Sequence, residues 1–208
     1  MWSKLLGKFI VVDGPDGAGK STQVRLLGDW LAGQGLPVAR VRDPGGTAIG
    51  EQIRGILLNT ANGAMGVGCE MLLYLASRAQ LYEECIGPAL AAGKVVLSDR
   101  WVSSTCAYQG AAGGLGMEAV MRVAEAALPR TWPDLTVILD APSEVGLGRI
   151  GRGWDRMEGK GPAFHRRVRE AFLELAGRRS DFRVVEASGP IDQVQELVRG
   201  VLEAYVVA

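Results

Sequence analysis

Nine residues near the N-terminus, Gly14-Pro15-Asp16-Gly17-Ala18-Gly19-Lys20-Ser21-Thr22, carry the most legible chemistry in this chain. Gly14, Gly19, Lys20 and Ser21 satisfy the spacing G-x-x-x-x-G-K-[ST], in which small residues let successive backbone N–H groups close around phosphate oxygens. Lys20 adds a positive charge on a flexible stem, and Ser21 offers a hydroxyl to Mg²⁺. The apolar run over residues 8–13 suits a buried strand, and Val24, Leu27 and Leu31 follow at helical spacing. A strand, a glycine loop and a helix in that order aim a helix N-terminus at an anion. The stretch therefore reads as a triphosphate cradle.

A second set of residues begins at Asp99, which ends the apolar run Val95-Val96-Leu97-Ser98. A carboxylate at such a strand end would hold Mg²⁺ beside the phosphate loop, directly or through water; the plainer alternative is a strand-end ion pair. Arg100 follows at once, and its planar fork suits a second phosphate group. Little else offers a reacting group. The single histidine, His165, reads as a polar surface residue. Cys69, Cys85 and Cys106 lack C-x-x-C spacing and read as reduced, mostly packed side chains rather than zinc ligands. Lys plus Arg balances Asp plus Glu at 23 each, so there is no global positive field to hold a nucleic acid or an anionic membrane. Only Leu5 and Leu6 lie between Lys4 and Lys8, too few for a signal-peptide core, and no run approaches the ~20 apolar residues of a membrane span. A cytoplasmic enzyme without nucleic acid or membrane partners is the expectation.

The elements that must position these residues follow from periodicity and breakers. Strand-like runs fall at 8–13, 38–42, 94–98, 135–140 and 182–186. Helical patterns fill the intervals: a helix capped by Thr47, a long one over 70–92 interrupted near Gly87-Pro88, one over 117–128, one capped by Ser143, one over 164–175 and a closing amphipathic helix through Val194, Leu197, Val198, Val201, Leu202 and Tyr205. Strands alternating with helices imply an α/β fold with a five-stranded parallel sheet covered on both faces. The 208 residues fit one domain, 1–208, with a basic segment over 149–160 as a mobile appendage. Ligands should lie at the carboxyl ends of the strands. The phosphate loop, Asp43-Pro44, Asp99-Arg100 and Asp140-Ala141 all follow strand runs.

Four ordered blocks resemble a known family, the thymidylate kinases of the bacterial kind within the P-loop nucleotide kinases. They are the phosphate loop, Arg42-Asp43-Pro44-Gly45-Gly46-Thr47, Tyr74-Leu75-Ala76-Ser77-Arg78-Ala79-Gln80, and the twelve residues from Asp99-Arg100-Trp101 to Tyr108-Gln109-Gly110. A fifth, Trp154-Asp155-Arg156-Met157-Glu158, is similar to the family's lid. The resemblance implies transfer of the γ-phosphoryl of ATP to thymidine monophosphate, with Mg²⁺ on Ser21 and Asp99. It implies that Asp16 accepts from the sugar 3′-hydroxyl, that Tyr74 stacks on the base with Arg78 donating to it, and that Arg42 and Arg100 hold the acceptor phosphate. Ser104, Tyr108 and Gln109 would line the base and sugar pocket. Read without the family, Tyr74 and Arg78 are a core-edge aromatic beside a solvated arginine, and Asp16 a loop carboxylate that tunes Lys20.

Phosphoryl transfer needs no protein nucleophile, because a phosphate monoester is already largely ionised at neutral pH with a second pKa near ~6. Lys20, Mg²⁺ and arginines supply the electrostatics. The phosphate loop carries no arginine, so by analogy one should come from the lid, where Arg149, Arg152 and Arg156 stand. The same basic cluster also reads as a solvated face, with Trp154 packing the closed lid. Asp43 in place of the family's glutamate, Trp101 in place of a smaller aromatic and a short lid are the departures. A homodimer, possible through residues 70–92, is implied by the family alone. Alternatives are a kinase for another nucleotide or nucleoside, and a non-catalytic nucleotide-binding protein. A regulatory GTPase would need an asparagine-lysine-x-aspartate reader, and neither Asn59 nor Asn62 precedes a lysine.

Overall fold

The computed structural model describes residues 1–151 and 153–207. Five strands, β1 (Phe9–Asp13), β2 (Val38–Arg42), β3 (Val95–Asp99), β4 (Leu135–Asp140) and β5 (Phe182–Glu186), form one sheet in the order β2-β3-β1-β4-β5. Every pairing is parallel. The central strands β1, β3 and most of β4 are buried on both faces, as their near-continuous apolar runs require, whereas edge strands β2 and β5 are partly exposed. Alternation along β1 sends Phe9 and Val11 into one core and Ile10 and Val12 into the other.

The core on the Ile10 side packs α1 (Lys20–Gly33) and α9 (Ile191–Val207) through Leu27, Leu31, Val198 and Leu202. The other core holds α3 (Val67–Leu81), α6 (Met117–Ala127) and α8 (Pro162–Arg178), with α2 (Ala48–Leu58), α4 (Gly87–Ala91), α5 (Val102–Thr105) and α7 (Ser143–Gly148) as shorter pieces. Thr47 caps α2, its Oγ1 accepting from the backbone N–H of Gly50 at 2.9 Å. Two helices contain π-turns, at Tyr82–Ile86 and Cys106–Ala112. The first lies ahead of the interruption expected at Gly87-Pro88, where the chain instead resumes as α4 because proline is tolerated in a helix's first turn.

Three local expectations are corrected. Ser143 is the first residue of α7 rather than its cap, and its buried Oγ finds no partner among the described residues. Of the cysteines only Cys106 is buried; Cys69 is exposed and Cys85 intermediate. Asp140, at the ligand end of β4, is taken by Arg169 of α8 in a two-bond pair at 2.6 and 2.8 Å.

Behind the ligand face, Arg78 on α3 is fully buried and pairs with Asp43, which follows β2. Its Nε and Nη2 both donate to Asp43 Oδ2, Nη2 also reaches the Trp101 carbonyl at 3.1 Å, and Nη1 reaches Thr105 Oγ1 at 3.1 Å. The guanidinium lies 5.2 Å from the centre of the Trp101 ring. Burial pushes the Asp43 carboxyl up, and Arg78 is the main force opposing it. Removing one partner strands a charge in the core. Arg78→Met should therefore cost about 3–5 kcal/mol in a urea denaturation, with the Arg78→Met/Asp43→Asn double variant losing clearly less than the sum of the singles. Additive losses in that cycle would mean that the two side chains act independently.

Candidate functional site

The carboxyl ends of β1, β2 and β3 open onto one cavity of about 960 Å³. Residues 16–23 of the phosphate loop and α1 line one part of it, continuing past Arg149 to Ala187 and Ile191. Arg42, Tyr74, Arg100, Ser104, Tyr108 and Gln109 line the rest. The loop is held open by close backbone packing. Gly17 has φ +73°, and a Cβ there would sit 1.8 Å from the carbonyl oxygen of Gly146 in α7, so only glycine permits the contact. Lys20, buried, donates to the carbonyl of Pro15 within the loop. Burial, then the nearby Arg100, pulls its ammonium down to about 8 against Asp16, Asp99 and Asp13.

Ser21 donates its hydroxyl to Asp99 Oδ2, so the two expected Mg²⁺ ligands are in contact although 78 residues apart in sequence. Among the described residues no three His, Cys, Asp or Glu side chains group as a metal site. A hydroxyl and one carboxylate beside a phosphate loop nevertheless fit magnesium, which takes few protein oxygens and completes its shell with phosphate and water.

Arg100 stands at the centre of the cavity wall. Its backbone adopts φ +75°, the one non-glycine residue with positive φ among the described residues, and its N–H donates to the Val12 carbonyl at 3.1 Å. The side chain donates to the Gly14 carbonyl at 3.1 Å, to Ser104 Oγ at 2.9 Å and to Asp16 Oδ1, and its guanidinium lies 5.3 Å from the centre of the Tyr108 ring. Asp13 is fully buried beneath it, accepting from Gly14 N at 2.9 Å, from Ser104 Oγ at 2.7 Å and from Ser103 Oγ. Burial opposes the charge of Arg100, but Tyr108 and the carboxylates of Asp16, Asp13 and Asp99 outweigh it and hold the guanidinium well above its ordinary value. Asp16 is the mirror case: burial pushes it up, while Arg100, then Lys20 and the Tyr108 phenol, carry it below the usual carboxylate range. The Tyr108 hydroxyl is close enough to act on Asp16 yet, like Asp16 Oδ2, has no well-formed hydrogen bond among the described residues. Burial likewise pushes the Tyr74 phenol up.

Not every expected residue reaches the cavity. Arg78 sits behind the wall, because buried Asp43 claims its fork, and touches the lining through Asp43 and Thr105 without lining the cavity itself. Arg156 is turned away: its Nε donates to the Leu57 carbonyl at 2.7 Å and its Nη1 to Glu70, and it is not part of the lining. Arg152 lies outside the described residues. Arg149 does border the cavity, donating to the carbonyls of Ala187 and Ser188 at 2.9 and 2.7 Å. Arg42 is half exposed at the rim and bound to Glu51 at 2.7 Å.

Other residues were not expected here. His165 is buried rather than at the surface, its Nε2 3.0 Å from the Glu158 carbonyl and its Nδ1 3.8 Å from Asp16 Oδ2, because the register of α8 turns it inward beside Phe164. Arg54 of α2 lines the cavity and donates to the Pro44 carbonyl at 3.0 Å. Its position as the one basic residue in α2 was the available signal. Glu70, buried on α3, receives Gln109, Arg156 and Lys160.

Comparison with known proteins agrees with this geometry. The family model described as thymidylate kinase matches residues 12–198. The chain is 44% identical over 197 residues to the thymidylate kinase of Symbiobacterium thermophilum, covering 94% of this chain and 92% of that one. It is 46% identical over 186 residues to that of Pelotomaculum thermopropionicum, covering 88% and 86%. The crystal structure of thymidylate kinase from Ehrlichia chaffeensis superposes with a TM-score of 0.77 at 29% identity, over 94% of this chain and 98% of that one. A phosphate loop on β1, a carboxylate and arginine at the end of β3, and matches that span nearly the whole chain lead to one conclusion: this chain belongs to the thymidylate kinase family of nucleoside monophosphate kinases.

Proposed function

We propose that this chain transfers the γ-phosphoryl group of ATP to deoxythymidine monophosphate, as a single domain that closes a lid over residues 149–160. The reading rests on one observation above all: the phosphate loop and the set Arg42, Tyr74, Arg100, Tyr108 and Gln109 line one continuous cavity, so a donor on the loop faces an acceptor across Arg100. Backbone N–H groups of the phosphate loop after Pro15 and the Lys20 ammonium take the donor phosphates, and Arg149 borders the part of the cavity where the donor's base would lie. Mg²⁺, held through Ser21 and Asp99, would neutralise charge on the donor's β- and γ-phosphates.

The acceptor phosphate needs no deprotonation, so the protein positions and neutralises. Arg100, with Arg42 and Arg54 at the rim, draws the acceptor phosphate in. Asp16 is ionised and has one buried oxygen that accepts no hydrogen bond among the described residues, an acceptor suited to the sugar 3′-hydroxyl. Tyr108 stands next to Asp16 and crowds the side on which a 2′-hydroxyl would project. Tyr74 offers an aromatic face to the base. From the lid, Arg149 and Arg152 bring closing charge, and Arg156 anchors the segment to Glu70. The family also suggests a cytoplasmic homodimer. No described helix is long and apolar enough to cross a membrane, and exposed Ile49, Ile56 and Leu72 on α2 and α3 are side chains that a second copy would cover.

Lys20→Ala should fold normally and lose turnover by a factor on the order of 10²–10³, the scale on which a charge stabilising the transition state acts. A folded variant with near wild-type kcat would detach this loop from the donor phosphates. Asp99→Asn should need about tenfold more magnesium for half-maximal rate, since an amide oxygen binds the ion without its countercharge. An unchanged magnesium titration would leave Asp99 as a partner of Ser21 only.

The acceptor assignment is checked by kcat/KM for deoxythymidine monophosphate, its 3′-deoxy analogue and uridine monophosphate. The wild type should favour the first over each of the others by about tenfold or more, the penalty of an unpaired buried acceptor or a crowded hydroxyl. Asp16→Ala should shrink the gap between the hydroxyl-bearing and 3′-deoxy acceptors while harming the natural one. Equal wild-type values for all three acceptors would overturn the assignment even with ATP binding intact.

A further inference from the structure

Gln109 lines the cavity while its amide nitrogen donates to Oε2 of Glu70 at 3.1 Å. A carboxylate accepts and cannot donate, so this bond decides which way the amide faces. The nitrogen points to Glu70, and the carbonyl oxygen is left for the cavity. No donor among the described residues takes that oxygen.

The carboxylate is secured from its other side. Glu70 is 1% exposed, and Lys160 donates to both of its oxygens, at 2.8 and 2.9 Å, while Arg156 Nη1 donates to Oε1. Burial alone would raise its pKa, but the bonds from Lys160, Arg156 and Gln109 outweigh burial and hold it below the ordinary range. Glu70 is therefore an acceptor toward Gln109 throughout the neutral range. A neutral side chain in its place would not fix the amide, because it could offer Gln109 either a donor or an acceptor.

We propose that Glu70 is a positioning residue for base selection: by turning the amide oxygen of Gln109 into the cavity, it favours pyrimidines that carry a hydrogen on ring N3 over those that present a lone pair there. Thymine and uracil have the N3 hydrogen; cytosine has the lone pair and would meet an acceptor with an acceptor. Discrimination of this kind is strong because a mismatched buried polar pair has no water to relieve it. The same carboxylate receives both cations from the end of the 149–160 segment, so the group that orients the base reader also anchors the lid. The inference deepens the acceptor reading above and rests on it.

The test measures kcat/KM for the deoxy monophosphates of thymidine, uridine and cytidine with wild type, Glu70→Gln, Gln109→Met and the double variant. The thymidine-to-cytidine ratio should fall about tenfold or more in each single variant and no further in the double, because Glu70 acts through Gln109. The thymidine-to-uridine ratio should hold at its wild-type value, since both bases carry the N3 hydrogen. A thymidine-to-cytidine ratio that survives in either single variant overturns the proposal. So does a further fall in the double variant, or a thymidine-to-uridine ratio that falls in step, which marks a general loss of pocket shape. Should Glu70→Gln not fold, Gln109→Met decides: an unchanged ratio overturns the proposal and a tenfold fall supports it. A wild type that does not phosphorylate the thymidine nucleotide would instead defeat the acceptor reading.

Discussion

Two cations, buried Lys20 and half-buried Arg100, stand close together where β1 and β3 end, and the architecture of the site follows from holding both charges there. Alone, Lys20 would shed its proton and Arg100, which stays charged, would turn out into water. Asp13, Asp16 and Asp99 surround the pair, from the end of β1, the phosphate loop and the end of β3. Because β1 and β3 are hydrogen-bonded neighbours, with Val12 opposite Asp99, Asp13 and Asp99 are brought together by the sheet itself, and the loop that follows β1 adds Asp16. The left-handed backbone of Arg100 costs on the order of 1–3 kcal/mol, and its anchored side chain and its N–H bond to Val12 hold it in place. Such strain is the counterpart of a guanidinium preorganised to meet phosphate rather than reorganising when one arrives.

A second layer of buried charge stands behind the first. Arg78 with Asp43 and Glu70 with Gln109, Arg156 and Lys160 are both centred on α3, and Arg78, Glu70, Arg156 and Lys160 stand behind the cavity while Asp43 and Gln109 line it. Each fixes something that does line it. Arg78 holds Thr105 and the Trp101 carbonyl, which lead into the helix bearing Tyr108 and Gln109. Glu70 joins that helix to the segment that approaches α8. This part of the cavity is thus walled by side chains whose orientation is set by ionic partners behind them, a means of holding geometry in a region that cannot rely on apolar packing alone.

The phosphate loop and the segment after α7 are also linked through bare backbone. Gly17 and Gly146 approach so closely that neither tolerates a side chain, so the segment after α7 begins at a fixed distance from the phosphate loop. Its other end is held by Arg156 and Lys160 on Glu70 and by the Glu158 carbonyl on His165. The segment between α7 and α8 is thus pinned at both ends.

The sequence by itself determined the five strands, their parallel arrangement and the phosphate loop, because each is written in local periodicity and in glycines at fixed spacing. Thr47 as a cap and Asp99 as a strand-end carboxylate were legible for the same reason: their partners are either adjacent or implied by the strand order. Tertiary structure decided the charged side chains. Arg78 stands four residues after Tyr74, a spacing that suggests a shared face, yet buried Asp43, 35 residues away, claimed it. Arg156 looked like a free lid cation and is bound to Glu70, 86 residues away, while His165 looked like a surface residue and faces Asp16. A long polar side chain in a low-dielectric interior goes to whichever unpaired group is within reach, and that choice depends on the packing of elements far apart in the chain, which no local pattern records.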